Sequence, residues 1–497
     1  MRNPRSIAIA KVWTLVAGLV VGLMCAGSTH GAPNDATADA VVGQLGFATT
    51  DPNQPSFAPT AGNLSLSNAA AVAISPDGRL YISDSDNHRV LSWPSASSFS
   101  NGQAADLVIG QPDFVSGFPN RGSTTAADGF FLPQGVAVDA AGNLWVADAF
   151  NSRVLRFDDP SATDGVADLV IGQPDFVSND ENLGQGGTGP DVALPDSLQF
   201  PGRVIVHETD VYVADSGNSR VLHYSNPIDN KPSADAVFGQ FGNFFKRAKN
   251  NDGLGNNGST ASADNLLNPI GLALDAFGNL YIADWANHRV LRYDEPLTSD
   301  TTADAVFGQP DFVNNAFDNG GLISGFQLPI DLHIDDDGNL FVADSQNHRV
   351  LAYFDPLYDQ STPDFVLGQL GSTNSDAINH GMGPFVADAD SLHGSTGLAG
   401  DAFGNLYVLD TNNNRLLRFD EVLEPVARPD YDRDGDVDLD DYERLADCFS
   451  GPGFGATPIC AATDLNGDDA IDLADYDLFQ RCSLGSNVPS DVDCAGG

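Results

Sequence analysis

The chain has 497 residues and a formal net charge of -45, from 68 acidic and 23 basic side chains. A surface this acidic repels phosphate backbones, which excludes nucleic acid as a natural partner and suits calcium and cationic ligands. Because 42% of the residues are hydrophobic and many stand in alternating runs, the chain does not belong to the disordered class.

The first segment predicts export. Arg2, Arg5 and Lys11 precede an apolar run from Val12 to Ala26, and small residues follow that run. We expect residues 1–28 to be a signal peptide, with the mature protein secreted or held at the cell surface and no membrane contact after cleavage. The alternative is an uncleaved anchor, although the run falls short of the roughly 20 residues that a membrane span needs.

One segment recurs six times between residues 37 and 420. It reads PIGLALDAFGNLYIADWANHRVLRYD at 269–294 and PQGVAVDAAGNLWVADAFNSRVLRFD at 133–158, with weaker copies starting near Ala69, Pro201, Pro329 and Ser395. A unit of this size cannot bury its own apolar face, so we expect the copies to pack on one another.

Each copy predicts three short strands. In the second copy they cover 135–139, 144–147 and 153–157, where side chains of alternating polarity would face opposite sides. The first two runs are joined by a tight turn in which Gly142 and Asn143 accept positive φ. The third copy departs, with His207 to Asp210 in that place.

A fourth strand follows each of the first five copies. It reads ADLVIGQPDF at 105–114 and 167–176, and its earliest version, ADAVVGQ at 38–44, precedes the first copy. Four strands per unit predict an all-β fold, a six-bladed β-propeller in which the N-terminal strand closes the last blade and leaves no open edge. The long loops after GQPDF should crowd one face of the disc and serve as functional surfaces.

The pattern PxGVAVDxxGNLYVADxxNHRVLRF resembles the NHL repeat family of β-propellers, over about residues 37–420. The resemblance implies a binding platform in most cases. In a minority it implies an enzyme that works on a metal in the central channel.

The polar residues of the repeat are interpreted as structural. Asp148, Asn151 and Arg153 recur in every copy, where the aspartate can cap the turn and the arginine can pair with a carboxylate. Functional sites rarely come sixfold. Among the histidines outside the turn, His333 and His393 are the best candidates for lining the channel, because they lie in or just before a first strand.

The last 68 residues predict a separate calcium-binding module, 430–497, after a linker at 421–429. Acidic and amide side chains stand at alternate positions of two 12-residue loops of EF-hand type, a spacing that offers a hard cation its oxygen ligands. We expect two Ca²⁺ sites. The predicted ligands are Asp430, Asp432, Asp434, Asp436, Asp438 and Asp441 in the first loop, and Asp464, Asn466, Asp468, Asp472 and Asp475 in the second.

Each loop is followed by one amphipathic helix, with no helix leading in, so the module resembles a type I dockerin. The resemblance implies docking onto a cohesin-like anchoring protein. Leu439-Asp440 and Leu473-Ala474 stand at the positions that carry partner choice in that family, and they lack the small hydroxyl pair of many cellulosomal dockerins.

Four cysteines follow the same duplication. Cys448 and Cys482 each lie 18 residues past a loop start, and Cys460 and Cys494 each follow 12 residues later. In an exported protein an even number predicts two disulfides. Local pairs, Cys448–Cys460 and Cys482–Cys494, fit the duplication best among the three connectivities.

Two functions compete at this point. The first is a secreted, non-catalytic propeller that binds a protein or glycan on its loops and is attached to an extracellular assembly through the calcium module. The alternative is an exported metal-dependent lyase, lactonase or hydrolase with its site in the channel. We favour the first over the enzyme.

Overall fold

The computed structural model describes residues 36–53, 70–162, 165–184, 193–319, 324–354, 356–357, 362–369, 378–384 and 386–420 of the propeller region. In the C-terminal part it describes 422, 437, 439–449, 460, 463, 465 and 470–483. Within these residues, no helix combines the length and apolar character needed to cross a bilayer.

The described residues form six antiparallel sheets of four strands each, which confirms the predicted number of blades. Blade 1 consists of β2 (Val72–Ile74), β3 (Leu80–Asp84), β4 (Arg89–Trp93) and β5 (Leu107–Ile109). Blade 2 consists of β6 (Pro133–Val138), β7 (Leu144–Asp148), β8 (Arg153–Phe157) and β9 (Leu169–Ile171). Blade 3 consists of β10 (Pro201–His207), β11 (Asp210–Asp215), β12 (Arg220–Tyr224) and β13 (Ala236–Phe238).

The remaining blades repeat this order. Blade 4 consists of β14 (Leu272–Leu274), β15 (Leu280–Asp284), β16 (Arg289–Tyr293) and β17 (Ala305–Phe307). Blade 5 consists of β18 (Pro329–Ile334), β19 (Leu340–Asp344), β20 (Arg349–Tyr353) and β21 (Phe365–Leu367). Blade 6 consists of β22 (Ser395–Gly400), β23 (Leu406–Asp410), β24 (Arg415–Phe419) and the N-terminal β1 (Ala40–Val42).

The N-terminal strand closes the ring, as the sequence predicts. β1 pairs antiparallel with β24, with Ala40 opposite Arg418 and Val41 opposite Leu417. Val41 is fully buried. Its amide donates to Asn101 Oδ1 at 3.0 Å, on the side away from β24. The last sheet therefore gains its outer strand from the other end of the propeller segment, and no blade is left with three strands.

Alternating side chains pack the blades on one another. In blade 2, Val136 and Val146 lie in an apolar cluster with residues of blade 1, whereas Ala147 and Val154 lie in a cluster with residues of blade 3. Trp145 joins the second cluster. The predicted division of the two faces is confirmed, and the core is a ring of interfaces between sheets.

The tight turn differs in one detail from its prediction. Gly142 adopts the left-handed conformation at φ 88, but Asn143 does not. The Asn143 side chain instead donates to Asp139 Oδ2 at 2.9 Å. Asparagine is useful here as a hydrogen-bond donor that ties the turn to the end of the first strand.

Because the strands of each blade alternate in direction, their connections alternate between two faces of the disc. The loop face carries the long loops from each fourth strand to the next blade, and also the turns between second and third strands, such as 149–152. The turn face carries the tight turns between first and second strands, and the connections between third and fourth strands.

The described C-terminal residues include two helices, α1 (Leu439–Asp447) and α2 (Leu473–Cys482). Their apolar side chains share one small core with Val437 and Ile471, which are fully buried. These two residues stand at the eighth position of the two predicted calcium loops.

Candidate functional site

The Asp-to-Arg step is a buried ion pair in all six blades. In blade 2, Arg153 Nε donates to Asp148 Oδ2 at 2.8 Å, and Asn151 Nδ2 donates to the same oxygen at 2.7 Å. Both charged side chains are fully buried. The six pairs measure 2.7–2.8 Å and are Asp84–Arg89, Asp148–Arg153, Asp215–Arg220, Asp284–Arg289, Asp344–Arg349 and Asp410–Arg415.

Each pair also fastens the loops around it. Asp148 Oδ1 accepts from the Phe131 amide at 2.7 Å, and Arg153 donates to the carbonyls of Phe176 and Gly129. Burial raises the pKa of Asp148, and Arg153 opposes that shift. The structural interpretation of these residues is confirmed. All six pairs are fully desolvated, and in each of them the arginine Nε donates to the aspartate Oδ2.

The histidines between the second and third strands of blades 1, 4 and 5 connect neighbouring blades. His88 Nδ1 accepts from the Leu132 amide at 3.1 Å, and His288 Nδ1 accepts from the Leu328 amide at 3.1 Å. Burial lowers the pKa of His88 and of His288. His348 Nδ1 makes the same contact with blade 6. A neutral ring that accepts from the next blade is a structural element.

The central axis holds a charged pair that the sequence analysis missed. The first strands align at one position, which is small in four blades and charged in two. The aligned residues are Ala71, Gly135, Arg203, Gly271, Asp331 and Gly397. Arg203 of β10 and Asp331 of β18 form a two-pronged ion pair, with Nε–Oδ1 and Nη2–Oδ2 distances of 2.9 Å.

Five blades converge on this pair. Arg203 Nη1 donates to the Gln134 carbonyl at 2.8 Å, and Nη2 donates to the carbonyls of Thr396, at 2.6 Å, and Ala70. Asp331 Oδ2 accepts from the Leu398 amide at 2.9 Å. The three carbonyls occupy the same repeat position in blades 1, 2 and 6. A ring of carbonyl oxygens at the hub is electronegative, and Arg203 neutralises it.

The pair fits tightly. Arg203 and Asp331 are each 4% exposed. A Cβ at Gly135 would lie 2.9 Å from Arg203 Cα, and one at Gly271 would lie 2.8 Å from Asp331 Cα. Glycine is therefore required beside each charged residue, and the axis at this level is filled by the chain's own ion pair.

The rings of the two predicted channel histidines have identifiable neighbours. His333 stacks on Phe341, with ring centroids 6.0 Å apart, and a Cβ at Gly400 would meet its Nε2 at 2.2 Å, so its ring lies between blades 5 and 6. The His393 ring packs edge-on against His348 at 5.2 Å, at the loop face. Burial lowers the pKa of His333 to about 4.

Comparison with known proteins identifies the family of the repeat. The sequence model of the NHL repeat matches residues 66–91, 132–157, 266–293 and 326–353, which fall in blades 1, 2, 4 and 5. These are NHL repeats. Blades 3 and 6, outside the matched ranges, are the ones whose first strand or first turn departs most from the pattern. Blade 3 contributes Arg203 to the axis.

One curated relative is the protein Suppressor of quenching 1, chloroplastic, from Arabidopsis thaliana. It is 26% identical over 300 residues, or 58% of this NHL-repeat chain. The match covers 25% of that protein, so the chain spans about a quarter of the relative's length.

The solved structures to which the chain is similar have low sequence identity to it. A virginiamycin B lyase from Staphylococcus aureus is 11% identical, with 72% of this chain and 96% of that chain covered and a TM-score of 0.38. A gluconolactonase from Xanthomonas campestris is 15% identical, with 77% and 98% covered and a TM-score of 0.38. A protein of unknown function from Bacteroides thetaiotaomicron is 12% identical, with 76% and 75% covered and a TM-score of 0.43.

Beyond the NHL repeats, the described part of the C-terminal region shows both loop ends. Asp441 and Asp475, the last predicted ligand of each loop, are buried. Asp475 Oδ1 accepts from the Leu465 amide at 2.8 Å, and Oδ2 accepts from the Asp472 amide at 2.8 Å. The carboxylate is thus turned back toward the loop. The other predicted ligands lie outside the described residues: Asp430, Asp432, Asp434, Asp436, Asp438, Asp464, Asn466 and Asp468.

One predicted disulfide is present. Cys448 and Cys460 are bonded, with a Cα–Cα distance of 5.4 Å. Cys482 is disulfide-bonded as well. Its pairing with Cys494 remains a prediction, because Cys494 lies outside the described residues.

Proposed function

We propose that this chain is an exported, non-catalytic binding propeller that takes a protein or glycan ligand on its loop face. The C-terminal module would hold it, through calcium, in an extracellular or cell-surface assembly.

Exposed apolar side chains on the loop face carry this proposal. In blades 1 to 4, a partly buried phenylalanine follows the fourth strand, and the residue after it is exposed: Val115, Val177, Phe245 and Val313 are between 54% and 66% exposed. Phe118 is 70% exposed in the same region. Single exposed apolar residues are ordinary, but a set repeated blade after blade on one face is typical of an interaction surface.

The net charge restricts the class of ligand, and the residues at the axis argue against the alternative function. With a net charge of -45, the chain favours neutral or cationic ligands over polyanions. The alternative, a metal-dependent enzyme in the channel, needs convergent metal ligands at the axis. That level is occupied by Arg203 and Asp331, whose polar atoms are engaged with each other and with backbone groups.

For the C-terminal module, the buried Val437 and Ile471 and the inward-turned Asp475 support two calcium loops. The residues proposed to hold Ca²⁺ are Asp430, Asp432, Asp434, Asp436, Asp438, Asp441, Asp464, Asn466, Asp468, Asp472 and Asp475. Calcium would neutralise carboxylates that otherwise repel one another. A cohesin-like anchoring protein is the proposed partner of this module.

The chain offers a matched pair of variants for the test. Phe118 on the loop face is 70% exposed and Phe403 on the turn face is 71% exposed. The protein would be screened against an array of neutral polysaccharides and against a displayed peptide library, and the affinity of each hit would then be measured for Phe118→Ser and Phe403→Ser. We expect F118S to weaken binding at least tenfold and F403S to leave it unchanged.

The two arms distinguish glycan from protein. The proposal fails if neither arm yields a ligand, or if F403S weakens binding as much as F118S does.

A further inference from the structure

The loop between β21 and β22 holds a histidine and two aspartates that converge. A ring nitrogen of His380 and one carboxylate oxygen each of Asp388 and Asp390 lie within 4.8 Å of one another. His380 Nδ1 is 3.8 Å from Asp390 Oδ1. In the part of the chain that the structure describes, no other three His, Cys, Asp or Glu side chains converge in this way.

Two buried atoms of this cluster lack a hydrogen-bond partner. They are His380 Nε2 and Asp388 Oδ1. The His380 side chain is only 5% exposed. Buried polar atoms are almost always paired, so an unpaired nitrogen and an unpaired oxygen in a cluster of three converging metal-ligand groups indicate a missing ligand.

The repeat provides an internal comparison, because the corresponding loops begin and end alike. The Asn120 amide donates to the Phe130 carbonyl in the first loop, and the Asn379 amide donates to the Leu392 carbonyl in the last. His380 therefore corresponds to Arg121, one residue after the shared asparagine.

The first loop already contains its own cation. Arg121 pairs with Asp128, the counterpart of Asp390. Ala126 stands at the position of Asp388. The last loop thus replaces arginine with histidine and adds a second carboxylate, on the same backbone scaffold. A constellation that departs from its repeat is a stronger sign of function than one present in every blade.

The backbone that carries the cluster is fixed. Asn379 is fully buried and exchanges hydrogen bonds with Asn413, the shorter at 2.7 Å. The Asp388 amide donates to Ser391 Oγ at 3.0 Å, and the Ser391 carbonyl accepts from Arg415 Nη2 at 2.8 Å. The groups are therefore held close together before any ligand arrives, which reduces the entropy lost on binding.

We propose that His380, Asp388 and Asp390 bind a divalent transition-metal ion of the Zn²⁺ type on the loop face. One imidazole and two carboxylates suit such an ion better than Ca²⁺, which takes oxygen ligands alone. Ligand atoms about 2.1 Å from a tetrahedral zinc lie roughly 3.4 Å apart, and the candidate ligand atoms here already lie within 4.8 Å of one another. Three protein ligands leave a fourth position for water or for a group of an external ligand.

Zinc binding by the full-length chain tests the site. The protein would be saturated with Ca²⁺ and titrated with Zn²⁺ against a chromophoric chelator. We expect one further equivalent of Zn²⁺ in the parent, and at least tenfold weaker binding in His380→Gln and in Asp390→Asn. Two controls should bind as the parent does: His207→Gln, which changes an exposed histidine of blade 3, and Asp128→Asn, which changes the counterpart of Asp390.

A Co²⁺ titration gives a second readout, because a site with a nitrogen ligand and low coordination number produces visible d–d absorption bands. We expect these bands in the parent and their loss in H380Q, with the thermal melt of the variant unchanged. The site is refuted if the parent binds no zinc beyond the calcium-saturated background, or if H380Q and D390N bind it as the parent does. Neither result depends on the ligand screen with F118S and F403S.

Discussion

At the scale of single residues, the stability of the protein should be more sensitive to the loss of one partner of the Arg203–Asp331 ion pair than to the replacement of both. Replacing Arg203 with methionine leaves Asp331 buried without its cation, at 4% exposure. Breaking a buried pair from one side costs about 3–5 kcal/mol, whereas replacing both partners with apolar residues is often close to neutral.

We therefore expect Arg203→Met to lower the free energy of unfolding by about 3–5 kcal/mol, and Arg203→Met/Asp331→Met to recover part of that loss. Urea denaturation of the parent, both single variants and the double variant measures the coupling. Additive losses would show that the two residues act independently.

His333 should make stability depend on pH. Burial lowers its pKa to about 4 in the folded state, against about 6.5 when unfolded. Between these values the unfolded chain binds a proton that the folded chain excludes, so stability is full above pH 6.5 and falls as the pH drops toward 4. The loss is on the order of 3 kcal/mol.

Isoleucine stands at the corresponding position of blade 3, as Ile205, so His333→Ile is a natural replacement. Denaturation midpoints at pH 7.5 and pH 4.5 should differ less in H333I than in the parent. An equal drop in both proteins would remove His333 as the cause.

At the scale of the strand, the closing pair β1–β24 invites a covalent test. The Val41 amide points away from β24, so Val41 and Leu417 form a pair without mutual backbone hydrogen bonds, whose Cβ atoms lie closest. We expect a disulfide in Val41→Cys/Leu417→Cys to raise the melting temperature of the oxidised form over the reduced form of the same protein. A link this long in sequence stabilises by up to about 5 kcal/mol.

Equal melting of the two forms would mean that the ring does not open at this seam. The single variants, which cannot form the link, control for the lost apolar volume of each cysteine.

The sequence predicted elements well because their signals are local and repeated. The strand runs, the tight turn and the closing role of residues 38–44 follow from period and number alone. The axial pair did not, because Arg203 and Asp331 are 128 residues apart and lie in two copies that differ from the rest at one position. Comparing the six copies column by column would have revealed one basic and one acidic residue where the others have glycine or alanine.

The lack of a local, repeated signal also explains why the sequence did not predict the His380 cluster. Histidine and aspartate in a long, irregular loop have no periodicity to mark them. The matching backbone contacts of the first and last loops reveal which residues correspond. His333 and His393 were proposed for the channel from their place in the chain. That place does not predict their ring contacts, which involve residues of another strand or blade.

At the scale of the whole molecule, calcium removal should separate two cores. The propeller clusters and the small helical core around Val437 share no members. We expect EDTA to lower a melting transition that belongs to residues 430–497 and to leave the propeller transition in place, as followed by calorimetry with and without calcium. A joint shift of both transitions would contradict two independent modules.

The closure of blade 6 also fixes where the polypeptide joins the disc. Ala40 lies opposite Arg418, so the strand that enters and the strand that departs do so side by side, both on the turn face. A tether attached through the residues after Asp420 would therefore hold the propeller by its turn face. The long loops on the opposite face would then point away from the assembly that holds the protein.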